Sequence, residues 1–128
     1  MKSHEKFDVS TLAAHFHNTY DRAVENLFVA LSLGIRTIDS SVAGIGGCPY
    51  AKGASGNVAT EDVLFLCELL GLDHGVDVAK ILGVGTYISE ELGRVNLAKV
   101  SLEDFEDVDN IRKESFGILA DTMRLKRL

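Results

Sequence analysis

Two histidines, an asparagine and a cysteine have the types and spacing that chemistry requires. His15 and His17 stand two residues apart. On a strand that spacing turns both imidazoles to one face, where they can hold a divalent metal. A bare H-x-H is also met as two ordinary polar residues at a rim, because short motifs have a high false-positive rate. Asn57 offers an amide oxygen, a third ligand suited to a hard cation such as Mg²⁺ or Mn²⁺; alone, an Asn after Gly is more often a turn residue. Cys48 follows two glycines and precedes the one proline. That setting exposes a thiol and favours work as an acid, base or redox group. Cys67, among Leu64, Phe65 and Leu66, reads as inert packing in a helix. Lys52 beside Gly53 is not a phosphate loop, since the lysine precedes the glycine and the G-x-x-x-x-G-K-[ST] spacing is absent. A G-x-S-x-G elbow is absent too.

The elements that must carry these residues are organised around the stretch from Gly44 to Asn57, which holds five of the 12 glycines. Glycine this dense permits close backbone approach, and irregular loops of this length in compact domains are usually functional. Val42, Ala43, Ile45 and Tyr50 set it apart from a solvating linker. Upstream, Leu12 to His17 reads as a short buried strand. Asn18 or Thr19 offers a helix cap, and Ala23, Val24, Leu27, Phe28 and Leu31 fall on one helical face that Gly34 terminates. Ile35 to Asp39 is a second strand leading into the glycine loop. After a brief extended piece, Val58-Ala59, Thr60 caps a helix that runs to Leu70 and closes at Gly71, with Glu61 and Asp62 at its positive end. Asp77 opens another helix, with Val78, Ile81, Leu82 and Ile88 along one side, ending at Gly93; Gly83 and Gly85 weaken it. Strand, helix, strand, loop and helix at this spacing imply parallel strands with covering helices. From Ser101 a helical tail is expected, with Phe105, Val108, Ile111, Ile118 and Leu119 at helical spacing and a break near Gly117.

The bulk composition narrows the function classes. At 128 residues the chain has the size of one domain, and 46% hydrophobic with 25% charged residues is ordinary for a soluble globular fold. A formal net charge of −6 argues against nucleic acid, whose binding needs clustered Lys and Arg. The most apolar run, Leu27 to Leu33, is far too short for a membrane span. Two cysteines make a poor disulfide framework and point to a reducing compartment. Met1 to Lys6 is neither a secretory signal nor an arginine-rich presequence, and Lys126-Arg127-Leu128 only faintly echoes a peroxisomal tail.

Three stretches together carry a resemblance. They are His15-Phe16-His17-Asn18-Thr19-Tyr20, then Asp39 to Ala51 with its G-G-C-P-Y, then Gly53 to Asp62 with its G-A-S-G-N. In this order, over about Leu12 to Val100, the sequence resembles the carboxy-terminal half of 3-hydroxy-3-methylglutaryl-CoA lyase. The H-x-H and the later G-N recur across the wider superfamily of metal-dependent TIM-barrel lyases and synthases, whereas the cysteine loop is particular to the lyase. The resemblance implies an α/β fold, a partial TIM (β/α) barrel with roughly its last three strands and covering helices, followed by C-terminal helices. It divides the chain at 1–100 and 101–128. It implies cleavage of 3-hydroxy-3-methylglutaryl-CoA, an acyl-CoA thioester, to acetyl-CoA and acetoacetate, chemistry of leucine degradation and ketone-body formation. His15, His17 and Asn57 would be ligands of Mg²⁺ or Mn²⁺, Cys48 the catalytic thiol, and His15 also a mover of protons.

Two departures from that pattern stand out. Asn18 occupies a position where the family usually has Asp. A TIM barrel takes about 250 residues and eight strands, so the remaining metal ligand, an Asp beside a catalytic Arg on the first strand, lies outside this sequence. Asp39 is no substitute, because the family has that aspartate as well. The expectation is therefore a lyase completed by an oligomer or by another chain that supplies the missing barrel half. The alternatives are a non-catalytic barrel fragment associated with a full-length lyase and, more weakly, a condensing synthase. The family's compartment is mitochondrial in eukaryotes and cytoplasmic in bacteria.

Overall fold

A computed structural model describes residues 7–47 and 55–115. Expectations that fall on Cys48, on Lys52, on the two termini and on the break near Gly117 lie outside the described residues. Two strands, β1 (Ala13–His15) and β2 (Thr37–Asp39), pair in parallel with Ala13 opposite Thr37, Ala14 opposite Ile38 and His15 opposite Asp39. The crossover between them is helix α1 (Ala23–Ser32). Helices α2 (Thr60–Leu69), α3 (Val78–Glu91) and α4 (Leu102–Glu106) follow, and residues 108–115 are helical as well.

The expected third strand is reduced. Val58-Ala59 contributes only an isolated parallel bridge, Ser41 to Ala59, because α2 begins at Thr60, one residue later. Val58 nonetheless ties the layer together, donating its N–H to Phe16 O and accepting from Ser41 N, at 3.1 and 3.0 Å. The first strand is also shorter than expected: it stops at His15, and His17 forms an isolated antiparallel bridge with Asn57. Among the described residues the sheet is an α/β sector with two hydrogen-bonded strands, open at its edges.

Alternation sorts the sheet into two faces. Ala14 points to the helices and is buried, while Ala13 and His15 point the other way and are exposed. The helix side is the core, built from Ala14, Ala23, Leu27, Ala30, Leu31, Val58, Val63, Leu66 and Cys67. Full burial of Leu27 alone is worth about 1.5–3 kcal/mol. Phe28 does not share that stripe. It is 49% exposed, because the buried positions run 23, 27, 30 and 31 and place residue 28 on the helix flank.

Helix ends follow local rules, with two corrections. Gly34, Gly71 and Gly93 take φ of 94°, 70° and 59° just beyond α1, α2 and α3, the left-handed geometry that stops a helix. The Asp77 side chain accepts from Lys80 N at the start of α3, and Ser101 with Asp104 completes a capping box on α4. Thr60 is not a cap: Ala59 holds that position, and the Thr60 hydroxyl pairs with Ser40 Oγ at 2.8 Å. Nor does Asn18 or Thr19 occupy the cap of α1, which is Arg22. The Asn18 side chain still accepts from Ala23 N at 3.2 Å, reaching in from five residues upstream.

Residues 94–100 have no regular structure and run back across the loops. Leu97 N donates to Ala43 O at 3.1 Å, Lys99 N to Asp62 Oδ1 at 2.8 Å, and the Lys99 ammonium pairs with Asp21. The tail docks on α2 through an edge-to-face contact of Phe105 with Phe65, centroids 5.3 Å apart, and through Arg112, whose guanidinium donates to the Glu68 and Leu69 carbonyls. No described helix is long and apolar enough to cross a membrane.

Candidate metal centre

His15 ends β1 on the face away from the helices, and His17 follows two residues later on the same side. Their Nε2 atoms face each other at 3.4 Å. The outer nitrogens are held from behind: His15 Nδ1 lies 3.3 Å from Asp39 Oδ2 and His17 Nδ1 3.4 Å from the Ser55 carbonyl. The first contact follows directly from register, since His15 and Asp39 are paired across the two strands. Anchoring Nδ1 fixes each ring and leaves Nε2 as the inward atom, the arrangement by which partners behind the ring orient metal-binding imidazoles.

Asn57 joins this cluster through the His17–Asn57 bridge. Its Nδ2 donates to Ile45 O at 3.0 Å. Its Oδ1 is buried and has no hydrogen-bond partner among the described residues. A buried carbonyl oxygen without a partner is costly, about 1–3 kcal/mol, so the site presents an acceptor that a cation would satisfy. Among the described residues no group of three or more His, Cys, Asp and Glu side chains could hold a metal ion. The candidate donors are two imidazole nitrogens and one carboxamide oxygen, a mixed N/O set of the kind a divalent cation can take.

The glycines explain how the backbone comes so close. A Cβ on Gly56 would lie 2.0 Å from Gly44 O and 2.8 Å from Gly46 O, and one on Gly46, at φ 93°, would lie 2.7 Å from Asn57 Nδ2. A bridge between Gly47 and Gly56 fixes both ends of the segment that carries Cys48. Beside Asn57 lies a cavity of about 200 Å³ lined by Asn18, Asp21, Ser55, Asp62 and Lys99 among others. Burial pushes the Asp62 carboxyl up from its ordinary range, partly offset by the Lys99 amide, whereas the Lys99 side chain holds Asp21 below it.

Asn18 has a local reason to be an amide. Its Nδ2 donates to Asp21 Oδ1 at 2.8 Å, a bond an ionised aspartate could not make. That bond and Lys99 hold the loop after β1, where Tyr20 and Asp21 both take positive φ, 53° and 63°. Cys67 lies in the core, as its apolar neighbours implied, and burial pushes its thiol pKa up. The residue that sequence reasoning missed is Glu61. Its place at the start of α2 suits a helix-dipole partner, yet it is fully buried against Ala43. The signal available was Gly85, a glycine inside a helix on the element packed against it.

A sequence profile of the HMGL-like family matches residues 1–88. The hydroxymethylglutaryl-CoA lyase of Pseudomonas mevalonii is 53% identical over 94 residues, covering 73% of this chain and 31% of that protein. Among solved structures, the HMG-CoA lyase of Bacillus subtilis superposes with a TM-score of 0.69 at 38% identity, over 73% of this chain and 32% of that one. An HMG-CoA lyase from Acinetobacter baumannii, in complex with coenzyme A and 3-methylmalate, gives 0.65 at 35% identity over 69% and 29%. The chain thus spans about a third of the length of these relatives.

Proposed function

The chain belongs to the HMGL-like family, whose matched relatives are carbon–carbon lyases, and from that premise we propose that it is the metal-holding sector of a hydroxymethylglutaryl-CoA lyase site. By itself it is non-catalytic, and it acts by associating with a full-length lyase or with a chain that supplies the rest of a barrel. The observation that carries this reading is the convergence of the two Nε2 atoms, 3.4 Å apart, with His17 bridged through its backbone to Asn57, whose buried Oδ1 has no partner among the described residues. The association is supported by the sheet, which among the described residues has two strands and open edges, since unpaired strand edges are templates for another strand.

In this proposal His15, His17 and Asn57 would hold Mg²⁺ or Mn²⁺, which when bound would supply Lewis-acid polarisation of the hydroxyl and carbonyl oxygens of 3-hydroxy-3-methylglutaryl-CoA. Asp39 holds the His15 ring from behind through Nδ1, which orients His15 for moving the hydroxyl proton. Cys48 would give a proton to the departing thioester enolate from a segment rooted at Gly47 and Gly56, completing acetyl-CoA beside acetoacetate. The A. baumannii complex with coenzyme A supports an acyl-CoA substrate. The 53% identity to the P. mevalonii lyase over 94 residues, with the family match over residues 1–88, supports the ligand roles.

The test is complementation. Purified chain with Mn²⁺ and the thioester is expected to give no turnover, and to gain it on mixing with the remaining portion of the P. mevalonii barrel. Turnover by the isolated monomer would refute the non-catalytic reading. Failure to associate with either that portion or a full-length lyase would refute the partner.

A further inference from the structure

Three unusual choices meet at one point beneath the site. Glu61 has no exposed surface, and burial raises its pKa, opposed by its own backbone amide and that of Ala43. Both of its carboxylate oxygens accept from Ala43 N, each at 3.0 Å. Ala43 itself takes φ of 55°, a left-handed conformation that a residue with a Cβ adopts only under constraint. Opposite, Gly85 lies inside α3, and a Cβ there would come within 2.2 Å of Glu61 Oε1. A mid-helix glycine, a left-handed alanine and a buried carboxylate each disfavour the fold locally, yet they fit one another.

The turn at Val42–Gly44 that Glu61 grips leads directly to the cation ligand. Two residues past Ala43, Ile45 O accepts from Asn57 Nδ2 at 3.0 Å, and Gly46 O accepts from Asn57 N at 3.1 Å. That pairing decides which way the carboxamide points and leaves Oδ1 without a partner among the described residues. We infer that Glu61 is a positioning residue: through the Ala43 amide it holds residues 42–46 in place, and through them it sets the orientation of Asn57. The inference rests on the proposed ligand role of Asn57. It assigns Glu61 no contact with substrate or cation.

The experiment uses ¹⁵N-labelled chain, with backbone and side-chain amide signals followed by NMR and Mn²⁺ alone as the probe. Glu61→Gln keeps the volume but replaces one of the two oxygens that face the Ala43 N–H with an NH₂ and removes the charge. It is expected to speed exchange of the Ala43 amide at least tenfold, shift the Asn57 side-chain amide and weaken Mn²⁺ binding at least fivefold. Gly85→Ala, which displaces Oε1, is expected to do the same. Leu66→Ala, a core change on the same helix, is the control: it lowers the melting temperature but leaves the Asn57 signal and Mn²⁺ affinity as they are. Because glycine accepts a φ of 55° without the carboxylate, Ala43→Gly combined with Glu61→Gln is expected to regain at least half of the lost affinity. An unchanged Asn57 signal in Glu61→Gln, an equal loss in Leu66→Ala, or no recovery in the double variant would overturn the inference. Should the parent chain show no Mn²⁺ broadening at His15 and His17, the ligand reading fails instead, while the Ala43 and Asn57 amides still report whether Glu61 holds the turn.

Discussion

Gly56→Ala inserts one methyl group between two backbones that touch. Gly56 does not have a positive φ, so alanine is acceptable on dihedral grounds and the whole effect is contact. The new Cβ would lie 2.0 Å from Gly44 O, which must retreat by about 1.4 Å to reach the 3.4 Å of ordinary contact. A hydrogen bond near 3.0 Å does not survive such a shift. Three are exposed to it: Asn57 N to Gly46 O, Asn57 Nδ2 to Ile45 O, and Asn18 N to Gly56 O. At about 1 kcal/mol each, the expected loss is about 3 kcal/mol, within the range of overpacking by one methylene-sized group. Urea unfolding followed by far-ultraviolet circular dichroism measures it as a fall in midpoint at constant slope. A stability within about 0.5 kcal/mol of the parent, the ordinary scatter of surface changes, would refute the close-approach argument for this glycine pair.

Gly83→Ala is the converse: nothing lies within 4 Å of its Cβ, so helix propensity alone acts and the same assay should show a gain of about 0.5–1 kcal/mol. His17→Ala should weaken Mn²⁺ binding at least tenfold, about 1.4 kcal/mol, as read by paramagnetic broadening, whereas Cys48→Ser should leave that affinity unchanged and lower turnover in the completed barrel. Asp62 supplies a pH signature. Burial raises its folded pKa above its ordinary value of 3.8, so the folded chain binds more protons and its stability falls as pH rises from about that value through the folded pKa. In Asp62→Asn, which keeps the acceptor for Lys99 N, that fall should flatten; an unchanged pH profile would show that Asp62 does not carry it.

Much of the fold was legible because its signals are local. Gly34, Gly71 and Gly93 stop helices by their own backbone geometry, and Asp77 and Ser101 cap with their own side chains, so no distant residue was needed to read them. The imidazole pair was legible for the same reason, since strand alternation alone sets His15 and His17 on one face. What was not legible depends on neighbours far along the chain. Phe28 looked buried by spacing, but which flank of α1 meets the sheet is decided by α2. The third strand looked real by composition, but its length is limited by where Thr60 begins to wind. Glu61 looked like a dipole partner at a helix start; only the approach of Ala43 and Gly85 makes it a buried fork.

The return of residues 97–99 across the loops has a consequence for the integrity of the particle. That short ribbon fastens to Ala43, Asp62 and Asp21, three places well separated in sequence. The link between α2 and α3, by contrast, has Asp73 and Gly75 to Asp77 exposed. A protease nick there would yield two peptides still laced to each other, and shortening the chain to end before Leu97 would unlace them at all three points together.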